Sequence, residues 1–152
     1  PKILKRCEKN GFSVFVLGAT ETNLKSAIQH FRRDYPGLKI AGAHHGYFQS
    51  NHEIVEAINR SHADVLIVGM GVPLQEKFIA GFDRELFCTA RLGVGAFIDF
   101  ASGNVPRAPY LFRKLRIEWL FRLLREPKRL WKRNVGSLIF LCRILLYKWK
   151  HS

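Results

Sequence analysis

The chain has 152 residues, enough for one domain with its own core, and 47% of them are apolar or aromatic, which excludes a wholly disordered or fibrous protein. Its three cysteines, Cys7, Cys88 and Cys142, are widely spaced and form no C-x-x-C pair, so a disulfide framework and a zinc site are disfavoured and a reducing compartment is expected. The formal charge of +13 is uneven: residues 1–112 hold 13 Lys/Arg against 10 Asp/Glu, whereas 113–152 hold 12 against 2, so the tail carries the excess and favours a polyanion, either nucleic acid or an anionic lipid surface.

The chain opens on Pro1 and runs directly into a basic helical stretch, with no signal peptide visible. Ser13–Gly18 (SVFVLG) reads as a buried strand ending in glycine. A helix is expected over Glu21–Tyr35, with Leu24, Ala27, Ile28 and Phe31 on one face and Thr20 as its N-cap. Leu38–Ala43 is a second strand, Glu53–Arg60 a short helix with Asn51 as N-cap, and Asp64–Gly69 (DVLIVG) a third strand. Pro73–Gly81 is a helix with proline in its first turn. Leu86–Leu92 is a fourth strand and Ala96–Ala101 a short helical turn.

Strands alternating with helices imply βαβ units and a parallel sheet, and continuously apolar runs such as VFVLG imply strands covered on both faces. The fold class expected is therefore α/β, a parallel sheet with helices on both faces over residues 1–110, followed by a basic helical appendage over 111–152. In such sheets ligands bind beyond the carboxyl ends of the strands. Three strand ends carry glycine turns: Gly18-Ala19-Thr20, Gly69-Met70-Gly71-Val72-Pro73 and Gly93-Val94-Gly95. Each could merely permit a tight turn; three on one rim point to a ligand site. None is a G-x-G-x-x-G or a Walker loop, so a standard dinucleotide or P-loop site is disfavoured.

From about Tyr110 the composition changes. Leu115, Trp119, Leu120, Leu123 and Leu124 recur at helical spacing among Arg116, Arg122, Arg125, Lys128, Arg129, Lys132 and Arg133. Pro127 separates two helices. Ser137–Lys150 holds an apolar stretch interrupted by Arg143, short of the roughly 20 residues that a spanning helix needs. Trp, Tyr and flanking cations describe a helix lying on a membrane surface. A packed helix pair with a solvated basic side is the competing reading. A nucleic-acid role is disfavoured, because no nucleic-acid motif appears.

Three segments together are specific: Gly71-Val72-Pro73-Leu74-Gln75-Glu76; Gly93-Val94-Gly95-Ala96-Phe97-Ile98-Asp99-Phe100-Ala101-Ser102-Gly103 with Arg107-Ala108-Pro109; and Glu118-Trp119 with Arg122-Leu123, Glu126-Pro127 and Arg129. In this order and spacing the chain resembles the WecG/TagA/CpsF family of glycosyltransferases from about Gly11 to Arg133. The resemblance implies an inverting, metal-independent transfer of a sugar from a UDP-sugar to a polyprenyl-diphosphate-linked saccharide, in bacterial cell-surface polysaccharide synthesis. It implies a Rossmann-like, UDP-sugar-binding domain over residues 1–110, peripheral attachment at the cytoplasmic face of the inner membrane, no cofactor and no nucleic-acid partner. Family members are longer at the N-terminus, and the general base implied by the resemblance is an Asp in that earlier stretch. The alternative is a non-catalytic, UDP-binding membrane-docking module.

The residues suit that chemistry. A departing UDP gathers negative charge that something cationic must stabilise. No D-x-D motif is present to hold a metal for that purpose; Arg122 and Arg129 offer planar guanidinium groups that match phosphate oxygens, with Arg133 third. Gln75 is expected at the crevice rim, hydrogen-bonding a sugar or ribose hydroxyl, while Glu76 complements a helix dipole. Asp99 has two readings, an acceptor for uracil or ribose and a cap for local backbone. Tyr47 is either a platform for the base or a core aromatic. Gly18, Ala19, Gly69, Gly71, Pro73, Gly93 and Gly95 complete the expected nucleotide site. His44, His45 and His52 fit no ordinary metal spacing, and Arg107 reads as an anchor at the turn into the appendage.

Overall fold

The computed structural model describes residues 2–105, which lie in one compact unit, 1–106. Arg122, Arg129, Arg133 and Arg107, and the basic helical appendage with its surface helix, lie outside the described residues. Helix α1 (Lys2–Asn10) leads into β1 (Ser13–Gly18), α2 (Glu21–Asp34), β2 (Lys39–His44), α3 (Asn51–Arg60), β3 (Val65–Gly69), α4 (Leu74–Gly81), β4 (Ala90–Gly93) and α5 (Phe97–Ala101). The four strands form one parallel sheet in the order β2-β1-β3-β4.

The apolar runs explain the sheet. In β1, Val14 and Val16 enter one core cluster while Phe15 and Leu17 enter another; in β3, Val65 and Ile67 divide from Leu66 and Val68 in the same way. Alternate side chains leave a strand on opposite faces, so these two strands are the wall between two cores. Leu4 and Cys7 of α1, Leu24, Ala27 and Phe31 of α2, and Ile98 of α5 fill the first core. Ile54, Val55 and Ile58 of α3 and Phe78 of α4 fill the second. The edge strands are only partly buried.

Element ends follow local chemistry. The Thr20 hydroxyl accepts from the Asn23 amide at 3.3 Å, capping α2. Helix α3 starts earlier than its apolar periodicity suggests: Ser50 caps it by accepting from the Glu53 amide at 3.3 Å, and Asn51 is its first residue. Pro73 stands just before α4, after a cis Val72–Pro73 peptide, and the helix begins at Leu74.

The expectation of a strand over Leu86–Leu92 is corrected: β4 is Ala90–Gly93. Leu86 and Cys88 are buried, but as loop residues. The backbone before β4 is satisfied by side chains instead of a ladder. Asn59 donates to the Glu85 carbonyl at 2.7 Å and accepts from the Phe87 amide at 3.0 Å, and the Arg91 guanidinium donates to the carbonyls of Asp83 and Leu86. Burial raises the thiol pKa of Cys88, as it does that of Cys7.

Candidate functional site

The strand order fixes where a ligand crevice belongs. From β1 the chain moves outward to β2, then returns past β1 to build β3 and β4 on the other side. The direction of winding therefore changes between β1 and β3, and the helices that follow them diverge onto opposite faces. The gap left above their carboxyl ends is the topological switch point.

At that gap the backbones nearly touch. Gly18 and Gly69 are register partners at the ends of β1 and β3. A Cβ on Gly18 would lie 2.5 Å from the Gly69 carbonyl carbon, and Gly18 has φ +138°, so no other residue fits there without displacement. Ala19 follows at φ 60°, a left-handed conformation uncommon for alanine. It is held by two backbone bonds: its amide donates to the Gly69 carbonyl at 3.3 Å, and its carbonyl accepts from the Gly46 amide at 2.9 Å. The loops after β1, β2 and β3 are thus stitched together without side chains. Sequence reasoning passed over Gly46; a glycine two residues beyond a strand end was the available signal.

Gln75 ties the fourth strand end into this rim. It is only 4% exposed. Its Oε1 accepts from the Gly95 amide at 2.8 Å and its Nε2 donates to Glu76 Oε1 at 2.8 Å. A Cβ on Gly93 would meet the Gln75 amide nitrogen at 2.9 Å, so glycine is what lets the turn lie against this side chain. Gln75 therefore fixes the Gly93-Val94-Gly95 turn against the start of α4. The Val94 amide donates to the Val68 carbonyl at 2.8 Å and continues the ladder into that turn.

Asp99 is 3% exposed on α5. Its Oδ1 accepts from Asn23 Nδ2 at 2.9 Å, in the first turn of α2, and Asn23 Oδ1 accepts from Asn104 Nδ2 at 3.1 Å. The carboxylate is a link between two helix starts, made by a pair 76 residues apart that no local pattern announces. Tyr47 is 60% exposed on the β2–α3 loop, so it is not a core aromatic; its amide donates to His45 Nδ1 at 3.2 Å. His44 and His45 lie with ring centroids 4.4 Å apart.

Two helices, α2 and α4, begin at this rim, and their N-termini bring partial positive charge to it. Glu21, in the first turn of α2, is held below the ordinary glutamate range by Lys25, 2.6 Å away. Two cavities open beside the end of β2. One of 480 Å³ runs along α2, with Leu24, Ile28 and Ala43 beside Lys25, Arg32 and His44. The other, of 260 Å³, lies toward α4. Among the described residues, no three His, Cys, Asp or Glu side chains gather into a set that could hold a metal ion.

Comparison with known proteins adds to this geometry. All of residues 1–152 match the model described as glycosyl transferase WecG/TagA/CpsF family. A protein of Bacillus spizizenii named N-acetylglucosaminyldiphosphoundecaprenol N-acetyl-beta-D-mannosaminyltransferase is 35% identical over 147 residues, covering 96% of this chain and 56% of that protein. Proteins of the same name from Bacillus subtilis and Staphylococcus aureus are each 38% identical, covering 89% and 84% of this chain and 52% and 50% of their own lengths. The chain spans about half the length of the curated relatives it matches.

Proposed function

The chain belongs to the WecG/TagA/CpsF family of glycosyltransferases, and from that premise we propose that it serves the transfer of a sugar from a UDP-sugar to a polyprenyl-diphosphate-linked saccharide at a membrane surface. The observation that carries the donor half is the topological switch point, where β1 and β3 end in Gly18 and Gly69 and α2 and α4 begin. Phosphates suit such a place, because helix N-termini present amides and positive potential. The acceptor half is supported by the relatives, whose names specify a diphosphoundecaprenol-linked substrate. Those names also put N-acetylmannosamine first among the sugars to try.

The chemistry divides between regions. The rim binds the nucleotide and holds it still; Gln75 and Asp99 keep the turns that form it in place. In the transfer, the bond from the anomeric carbon to the UDP oxygen breaks as the acceptor hydroxyl attacks from the opposite face and gives its proton to a general base, the role that the family resemblance assigns to an Asp in the N-terminal stretch of the longer members. Arg122 and Arg129 of the basic segment take up the charge that collects on the departing diphosphate. The basic, aromatic-bearing segment 137–150 keeps the chain at the cytoplasmic face, where the acceptor resides.

Thermal unfolding with and without UDP tests the donor reading. A ligand at ten times its dissociation constant adds about 1.4 kcal/mol, a rise of roughly 3–6 °C for a chain of this size. An unchanged melting temperature at millimolar UDP would remove the nucleotide site. Transfer from a panel of UDP-sugars to a lipid-linked acceptor in vesicles then separates an enzyme from a binding module.

A further inference from the structure

The 260 Å³ cavity beside the crevice is lined by Phe48, Met70, Leu74, Phe78 and Phe82. The aromatic wall is already assembled: Phe48 and Phe78 have ring centroids 5.9 Å apart, and Phe78 and Phe82 5.3 Å. Its polar side chains are Asn51 and Lys77. Gly46 also lines it, and a Cβ there would meet Gly18 Cα at 3.2 Å and Met70 Cγ at 3.4 Å. The cavity therefore shares a wall with the switch-point crevice.

The surface around it is also apolar. Of the five large hydrophobic residues exposed among the described residues, three lie around this cavity: Tyr47 on the β2–α3 loop at 60%, Val72 on the β3–α4 loop at 61%, and Leu74, the first residue of α4, at 55%. Apolar side chains clustered at the mouth of an apolar cavity mark a place that a lipid or apolar ligand covers. A nucleobase would need several directed hydrogen-bond partners to be read, and this lining offers few. A hydrocarbon chain asks only for shape and dryness, while Lys77 supplies one cation for a phosphate.

We infer that this cavity receives the first isoprenoid units of a polyprenyl diphosphate, with the diphosphate at Lys77 and the bound sugar turned toward the crevice. The inference rests on the acceptor reading above and deepens it. A dry apolar cavity of about 150 Å³ takes a benzene-sized guest, so this one holds roughly one to two isoprene units. The remainder of the lipid stays in the bilayer, against Val72 and Leu74.

Met70 is the single methionine of the chain, so a methyl-labelled sample reports on this cavity with one signal. The test titrates the full chain with farnesyl diphosphate in the presence of saturating UDP. A saturable shift of the Met70 methyl signal is expected, and inorganic diphosphate at the same concentration leaves the signal in place. Leu74→Glu alters an exposed position and leaves the core intact; it is expected to weaken farnesyl diphosphate by about tenfold or more while the UDP-induced rise in melting temperature persists. No shift with farnesyl diphosphate, an equal shift with inorganic diphosphate, unchanged affinity in Leu74→Glu, or displacement of the prenyl compound by UDP would each overturn the inference. Failure of UDP to stabilise the chain would remove the donor site alone, since the farnesyl diphosphate titration, then run without UDP, still decides this one.

Discussion

The two ends of the same four strands are built differently. At the amino end, side chains close the gap between β1 and β3: the Ser13 amide and hydroxyl donate to Asp64 Oδ2 at 2.7 and 2.8 Å, and the Asp64 amide donates back to the Ser13 hydroxyl at 3.1 Å. At the carboxyl end the same two strands finish in Gly18 and Gly69, and only backbone groups meet. Gly18, Ala19, Gly71 and Gly95, all with positive φ, lie at that end. Positive φ also occurs at the amino end, at Gly11 and His62, so what sets the carboxyl end apart is the pair of glycines without side chains at the strand ends. One end is tied by polar side chains and the other by backbone groups alone.

The hardest test of this contrast is Gly18→Ala. The new methyl group would sit 2.5 Å from the Gly69 carbonyl, on a backbone with φ +138°. Strain and overpacking together predict a loss of about 3 kcal/mol or more, read from the midpoint of urea denaturation. A loss below about 1 kcal/mol would mean that β1 and β3 part easily at this end, and that the glycine pair is not what sets the width of the crevice.

Gln75→Ala probes the same rim with less violence. It strips the Gly95 amide of its buried acceptor, for a cost of about 1–3 kcal/mol, and frees the Gly93-Val94-Gly95 turn. The UDP-induced rise in melting temperature should shrink with it. A variant that loses stability but keeps the full UDP response would confine Gln75 to a structural role and shift the nucleotide toward the β1 and β3 loops alone.

The sequence marks the middle of the sheet far better than its edges or its site. Ser13–Gly18 and Val65–Gly69 stand out because strands covered on both faces must be apolar throughout, and the start of α2 because Thr20 is a strong cap. The edge strand β2 is displaced by one residue from Leu38–Ala43, its half-exposed pattern giving no sharp boundary. Strand β4 is misplaced because Leu86 and Cys88 are buried for packing, while Asn59 and Arg91 satisfy the adjacent backbone; burial and strand pairing look alike in a short apolar run. The glycine turns are legible as turns. What they hold together is not: the Gln75–Gly95 bond spans 20 residues and the Asn23–Asp99 bond 76, distances at which only the assembled fold brings partners together. The cavity walled by Phe48, Phe78 and Phe82 draws on the β2–α3 loop, α3, the β3–α4 loop and α4, and has no signature in any one of them.

The smallest expected effect is at the closed end. Asp64 is held below the ordinary aspartate range, chiefly by the Ser13 amide and then by its hydroxyl. A carboxylate with a lowered folded-state pKa lends stability above its unfolded pKa and loses that stability as the pH falls through the folded value. The Ser13–Asp64 contribution is therefore complete at neutral pH and fades below about pH 4. Asp64→Asn has no proton to take up at this position, so melting temperature should fall less steeply between about pH 5 and pH 2.5 than in the parent chain. The slope persists in part, because Asp34 and Glu21 are lowered as well, by Arg33 and Lys25. The UDP response at neutral pH should be unaffected, since the substitution lies at the opposite end of β3 from Gly69. If Asp64→Asn instead abolished that response, the two ends of the sheet would be coupled through β3, and the division between a sealed end and a working end would fail.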